Sequence, residues 1–155
     1  MYTMHTQLKQ RLFRTINRIL MVLLCSPLHG LVSKHLLLIT YRGRTSGMVY
    51  TIPVAYQRQD SGLRIVSMRR DHWWHNLRGG APVTLRLQGH TVTAHGRVIE
   101  DVPDVACQLR TYLQHAPIVA KILGVTRDGH GQFRQNDVQQ AAEKSVVVHL
   151  ALDQE

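Results

Sequence analysis

Hydrophobic positions along the chain switch back and forth between helical and strand period. Residues 7–24 repeat at about 100° per residue. Leu8, Leu12, Phe13, Ile16, Ile19, Leu20, Leu23 and Leu24 fall on one side, and Gln7, Gln10, Arg11, Arg14, Asn17 and Arg18 on the other. This predicts an amphipathic helix, stopped or restarted at Ser26-Pro27. From residue 36 the period is that of strands. Leu36–Tyr41 is an apolar run buried on both faces, and Met48–Gln57 alternates with Tyr50, Ile52, Val54 and Tyr56 on one face. Pro53 cannot donate to a ladder, so this second strand has an edge or a bulge there. Asp60-Ser61-Gly62 predicts a hairpin turn and Leu63–Met68 a third strand. A short helix over His72–Arg78 ends at Gly79-Gly80. Pro82 opens a strand with Val83, Leu85 and Leu87 inward, and Thr91–Ile99 forms the next with Val92, Ala94, Gly96 and Val98 on one face. Asp101–Asp104 starts a helix running to about Leu123 with a bend at Pro117. Asn136 or Asp137 caps a short helix, and Val146–Leu150 is the last strand. The order predicts an α+β fold, mainly β, in which an antiparallel barrel carries helices outside it. Residues 1–35 form a helix and connector, and 36–155 the barrel, within one domain.

Composition narrows the chemistry. Lys and Arg number 19 against 10 Asp and Glu, a formal charge of +9. Such a balance favours an acidic partner: nucleic acid, an anionic membrane surface or a small polyanion. No DNA or RNA module is visible, and the sparse aromatics do not interleave with arginines, which argues against specific nucleic-acid binding. Two cysteines, Cys25 and Cys107, cannot build a disulfide framework and fit a reducing compartment. The basic, then apolar N-terminus resembles a signal peptide, but Ile19–Cys25 is short, no small-residue cleavage site follows, and a span needs roughly 20 apolar residues. The expectation is a retained helix on a cytoplasmic protein. Two placements stand open for residues 7–24: packing on the domain, or lying on the anionic inner face of the cell membrane.

Ten histidines give no metal signature. His72 and His75 share a helix face but lack a further ligand at a usual spacing. No G-x-S-x-G, dinucleotide or P-loop fingerprint is present. The turn Arg42-Gly43-Arg44-Thr45-Ser46-Gly47 is more informative: two arginines, two hydroxyls and turn amides in six residues suit an anion.

These residues carry a resemblance. Leu37–Tyr41, then Gly43-Arg44-Thr45-Ser46-Gly47, then Thr51-Ile52-Pro53-Val54 are similar to the deazaflavin-dependent nitroreductase family, whose usual form is a hydrophobic strand, G-R-x-[ST]-G and a proline-bearing strand. Trp74-His75-Asn76-Leu77 before Gly80–Val83 resembles that family's W-x-x-N-L segment, and Ser26-Pro27-Leu28-His29 is similar to one branch. The resemblance covers about residues 20–100. It implies a split β-barrel related to the FMN-binding barrels, and coenzyme F420 as cofactor, with FMN as the alternative. By match, Arg42, Arg44, Thr45, Ser46 and Gly47 face the phosphate side, Thr51, Ile52, Pro53 and Val54 line the ring, Ser67 lies near the cofactor, and Trp74 and Asn76 take the W-x-x-N-L positions. Many members carry an S-x-G-G loop where Ser67–Trp73 is shorter and glycine-free, so contacts there fall to Arg69 and Arg70. The implied activity is hydride transfer from reduced F420 to an electron-poor small molecule, a quinone, enone or nitro compound. The other expectations are an FMN reductase on the same barrel, or a non-catalytic carrier of a lipid or cofactor at the membrane.

Overall fold

The computed structural model describes residues 2–27, 30 and 34–153, without the side chains of residues 2–13. Leu28 and His29, part of the Ser26–His29 resemblance, lie outside the described residues, as do the helix side chains expected at Leu8, Arg11, Leu12 and Phe13. The elements are α1 (Tyr2–Cys25), β1 (Leu36–Arg42), β2 (Val49–Ala55), β3 (Gln57–Gln59), β4 (Gly62–Met68), a 3-10 turn (Trp73–Leu77), β5 (Ala81–Leu87), β6 (His90–Ile99), α2 (Val102–Gln114), α3 (Pro117–Ile122), α4 (Gln135–Glu143) and β7 (Ser145–Leu152). The strands form one antiparallel sheet in the order β2-β1-β5-β6-β7-β4-β3. The chain divides into two compact units, one of Met1–Tyr56, Pro82–Ala94 and Asp153–Glu155, the other of Gln57–Ala81 and His95–Leu152.

In the first unit β1 is central and buried on both faces, as its unbroken apolar run requires: Leu37, Leu38, Ile39 and Tyr41 are all buried. It pairs with β2 from Leu36 opposite Ala55 to Arg42 opposite Val49, and with β5 through Leu38–Arg86, Ile39–Leu85 and Thr40–Thr84. Strand β2 is the sheet edge, the position that tolerates Pro53. The expected strand to Gln57 is instead broken at Tyr56. Its amide turns to the His35 carbonyl (3.0 Å) and its ring is buried with the hydroxyl accepting from Gln88 Nε2 (3.3 Å), so β3 starts anew. Helix α1 packs on β1 and β2. Leu24 is buried and Leu20, Met21 and Leu23 half-buried, while Ile16, Ile19 and Val22 are exposed. Part of the apolar arc is therefore domain-packed, and a strip of it is not. No described helix is long and apolar enough to cross a membrane.

In the second unit β4 and β7 pair from Leu63 opposite Leu150 to Met68 opposite Ser145. Gly62, at φ 142°, sits against the Leu150 carbonyl so closely that a Cβ would collide with it. Val105, Leu109, Tyr112, Leu113, Val138, Ala141 and Val147 make one buried cluster between α2, α4 and β7. Each fully buried Val or Leu there contributes about 1.5–3 kcal/mol relative to exposure. The single helix expected to Leu123 is two helices. Pro117 lacks the N–H that an unbroken helix needs, so the chain leaves helical geometry at Ala116 (φ −136°, ψ 65°) and Pro117 opens α3. Neither Asn136 nor Asp137 caps α4, which begins after Arg134. Asp137 lies within the first turn and accepts instead from the Thr126 amide (2.9 Å) and hydroxyl, tying the preceding loop to the helix. These bonds hold its carboxyl below the usual range.

Candidate functional site

The β1–β2 hairpin of the first unit carries most of the expected site. Its turn is closed by Gly43 N–H on the Met48 carbonyl (2.7 Å) and Gly47 N–H on the Gly43 carbonyl (2.8 Å). Gly47 sits at φ 67°, a left-handed position that disfavours other residues, and a Cβ at Gly43 would lie 2.5 Å from Ser46 Oγ. Arg42 Nη1 donates to the Gly47 carbonyl (2.8 Å), so this arginine braces the turn. Ser46 Oγ accepts from the Met48 amide (3.2 Å) and meets the Tyr50 hydroxyl (3.3 Å), and Tyr50 stacks on Tyr41 at 5.7 Å. Burial, and the neighbouring Tyr50, push the Tyr41 phenol above its ordinary range. Arg44 and Thr45 are exposed at the tip.

Two residues back along β1, on the same side by strand alternation as Arg42, stands Thr40. The registers place Thr51 and Thr84 opposite it on either side, so three threonines run across β2, β1 and β5. Thr40 and Thr51 share a hydrogen bond of 2.8 Å. They line a cavity of about 360 Å³ with Thr84, Thr91, Arg86, Leu38, Leu85 and Cys25 from the end of α1. Arg86 Nε is buried with no partner, and its Nη1 reaches Thr91 Oγ1 at 3.4 Å. The cavity thus offers an apolar platform, hydroxyls that either donate or accept, and one under-used guanidinium. Its volume falls in the range of small-ligand sites. Of the residues expected to line a ring, Thr51 borders this cavity and Ile52, Pro53 and Val54 are half-buried along β2.

The remaining expected residues belong to the second unit, where Ser67, Arg69, Trp74 and Asn76 each have a local partner. Ser67 Oγ donates to Asp71 Oδ2 (3.3 Å) and accepts from Trp73 Nε1 (2.9 Å). Trp74 is 1% exposed and donates to the Met68 carbonyl (3.2 Å). Asn76 donates to the Trp73 carbonyl (2.9 Å) within the 3-10 turn. Arg69 donates to the Glu100 carbonyl, and Arg78 forms a two-pronged pair with the Glu100 carboxylate at 2.9 and 2.7 Å. That pair holds the Glu100 carboxyl below its usual range. Arg70 is exposed. Among the described residues no group of three or more His, Cys, Asp or Glu is arranged to hold a metal.

Thr40, Thr84 and Arg86 were not expected in the site. The only sequence signal for them is polarity out of place: Thr40 interrupts the apolar run of β1, and Thr84 and Arg86 alternate with the buried Val83, Leu85 and Leu87 of β5. Their convergence depends on register between strands far apart in the chain.

No protein-family model matches the chain, and no curated protein does. Solved structures do. The crystal structure of HutZ, the heme storage protein from Vibrio cholerae, aligns with a TM-score of 0.53 at 12% identity, covering 84% of this chain and 92% of that one. The FAD and heme binding protein from Mycobacterium smegmatis aligns with a TM-score of 0.44 at 14% identity, covering 84% and 73%. At 12% identity the likeness to HutZ concerns the fold, which is the expected antiparallel split β-barrel with flanking helices.

Proposed function

We propose that this chain is a split-barrel oxidoreductase that binds a flavin-type cofactor, F420 in the first instance, and passes a hydride from its reduced form to an electron-poor small molecule such as a quinone, enone or nitro compound. The observation that carries the reading is the cavity of about 360 Å³ floored by Thr40, Thr51 and Thr84 beside an Arg86 Nε that no protein atom satisfies. A planar heteroaromatic ring fits such a site: Leu38 takes its face, the hydroxyls take its polar edge, and Arg86 supplies a charged donor to a ring carbonyl. The bound cofactor supplies the hydride, so the protein needs no nucleophile or metal of its own. The residues of this chain bind, orient and desolvate. The turn at Arg42–Gly47, braced by its own hydrogen bonds, presents Arg44 to an anionic group, and F420 offers a phosphate and a polyglutamate tail.

The same proposal sets the outer strip of α1, with exposed Ile16, Ile19 and Val22 beside exposed Arg14 and Arg18, on an anionic membrane surface. Spectroscopic titration of the purified chain with F420 and with FMN tests the cofactor, since the two absorb at different wavelengths. Binding of F420 together with oxidation of reduced F420 by a quinone is the expected result. Saturable binding of FMN alone transfers the site to the FMN reading, and binding of neither overturns the proposal.

A further inference from the structure

The second unit holds a positive cluster that the proposed redox site does not use. Arg64 lies in the middle of β4 and is 5% exposed. Its Nη1 donates to the Gln108 carbonyl on α2 (3.4 Å), and its Nε is buried without a partner. The β4–β7 register sets it opposite His149, whose Nε2 is also buried and unpaired, as is Gln108 Oε1. Three orphaned polar atoms on adjoining elements are unusual, since buried polar groups are normally satisfied. Gln108 and His149 border a cavity of about 370 Å³ together with His95 and Arg97, Ile99 and Ala151 give it an apolar side, and Arg64 lies behind the lining opposite His149.

Charge decides what would satisfy them. Among the described residues no carboxylate lines this cavity and no ion pair engages Arg64 or Arg97. A buried guanidinium is costly unless something pairs with it. Burial keeps the His149 imidazole below its ordinary range, and Arg64 and Arg97 push it further the same way. The cavity is thus a cationic recess with a greasy side wall and one unpaired acceptor. A guanidinium fork suits a carboxylate, and the apolar wall suits an organic body. The lone Gln108 Oε1 calls for a ligand N–H or O–H.

We propose that this cavity is a second binding site, for a small organic carboxylate with an apolar body and one hydrogen-bond donor, held by Arg97 and His149 with Arg64 as the charge behind them. The probe is 4-hydroxyphenylacetate, titrated into the full chain by calorimetry and followed by the ring resonances of His149. Binding is expected, with the His149 ring shifted, and the neutral alcohol 2-(4-hydroxyphenyl)ethanol at least about tenfold weaker. Arg97 is exposed, so Arg97→Gln keeps the fold and should lower affinity at least about tenfold; Arg64→Gln should lower it further where that variant folds. Equal affinity for acid and alcohol overturns the proposal, as does inorganic phosphate binding as tightly as the acid. Absence of any heat or shift at millimolar probe overturns it too. Displacement of the probe by F420 or FMN assigns the cavity to the cofactor and removes the second site. F420 binding with no effect on the probe leaves both sites standing apart.

Discussion

Replacing Arg86 by methionine should move stability and cofactor affinity in opposite directions. The substitution keeps an unbranched apolar stem and removes the guanidinium. In the free protein that group makes one long bond, 3.4 Å to Thr91 Oγ1, while its Nε is buried with no partner. An unsatisfied buried donor costs about 1–3 kcal/mol, and a single stretched bond returns less than about 1 kcal/mol. The variant should therefore be more stable by about 1 kcal/mol, which for a chain of this size raises Tm by about 2–4 °C. Affinity should fall, because a charge-assisted bond to the ring edge is worth about 1.5–3 kcal/mol, or roughly tenfold to a hundredfold in Kd. Thermal unfolding of the free protein and spectroscopic titration with F420 and FMN measure the two effects. A lower Tm with unchanged affinity for both cofactors would refute the reasoning and make Arg86 a structural residue of β5.

Arg44→Ala should weaken cofactor binding about tenfold to a hundredfold with Tm unchanged, because Arg44 is exposed at the tip of a turn closed by other groups. In the parent chain affinity for F420 should decline as salt rises, and less steeply in Arg44→Ala; identical salt slopes would remove the turn from the site. The His149 pKa lies below that of an unfolded histidine, so its contribution to stability is complete above about pH 6.5 and is lost as pH falls and the unfolded state takes up the proton first. His149→Gln should flatten the fall in Tm between about pH 7 and pH 5, and an unchanged slope would contradict the burial of that ring. Changing Ile16, Ile19 and Val22 together to serine should reduce sedimentation with anionic vesicles while leaving Tm within about 2 °C, because all three lie outside the packed face of α1. Equal sedimentation of parent and variant would remove the membrane placement.

Local pattern carried the strands well and their partners poorly. Alternation in β5 and β6 gave the inward residues Val83, Leu85, Leu87, Ala94 and Gly96, which are buried, and Val92 and Val98, which are half-buried. Pro53 marked an edge or a bulge because its missing N–H is a local fact with a global consequence, and the strand is an edge. The break at Tyr56 was not legible, since it depends on a hydrogen bond to His35 and on burial of the ring, both long-range. Asp137 reads as a cap by residue type, yet Thr126 takes its carboxylate, and nothing near residue 137 announces that partner. Arg64 escaped for the opposite reason. A charged residue in a strand reads as outward-facing, and only the proximity of α2, with the Gln108 carbonyl on its Nη1, reveals a buried one. The threonine row shows the same limit: each hydroxyl is unremarkable in its own strand and becomes a feature only across three.

That row has a consequence for the proposed hydride transfer. The Thr40 and Thr51 oxygens lie 2.8 Å apart, and either can be the donor. A hydroxyl exchanges donor for acceptor by rotating one hydrogen, with its oxygen fixed. A ring whose edge atom accepts in one oxidation state and donates in the other would meet the same heavy atoms in both. With the proposed cofactor bound, such a floor would have no built-in preference for the spent or the charged form, and no backbone would need to move between half-reactions. Replacing the row by valines would leave the shape and abolish this indifference, so the two oxidation states would separate in affinity. Under the proposed function, threonine at all three positions would keep the site level through the cycle and leave the driving force to the acceptor.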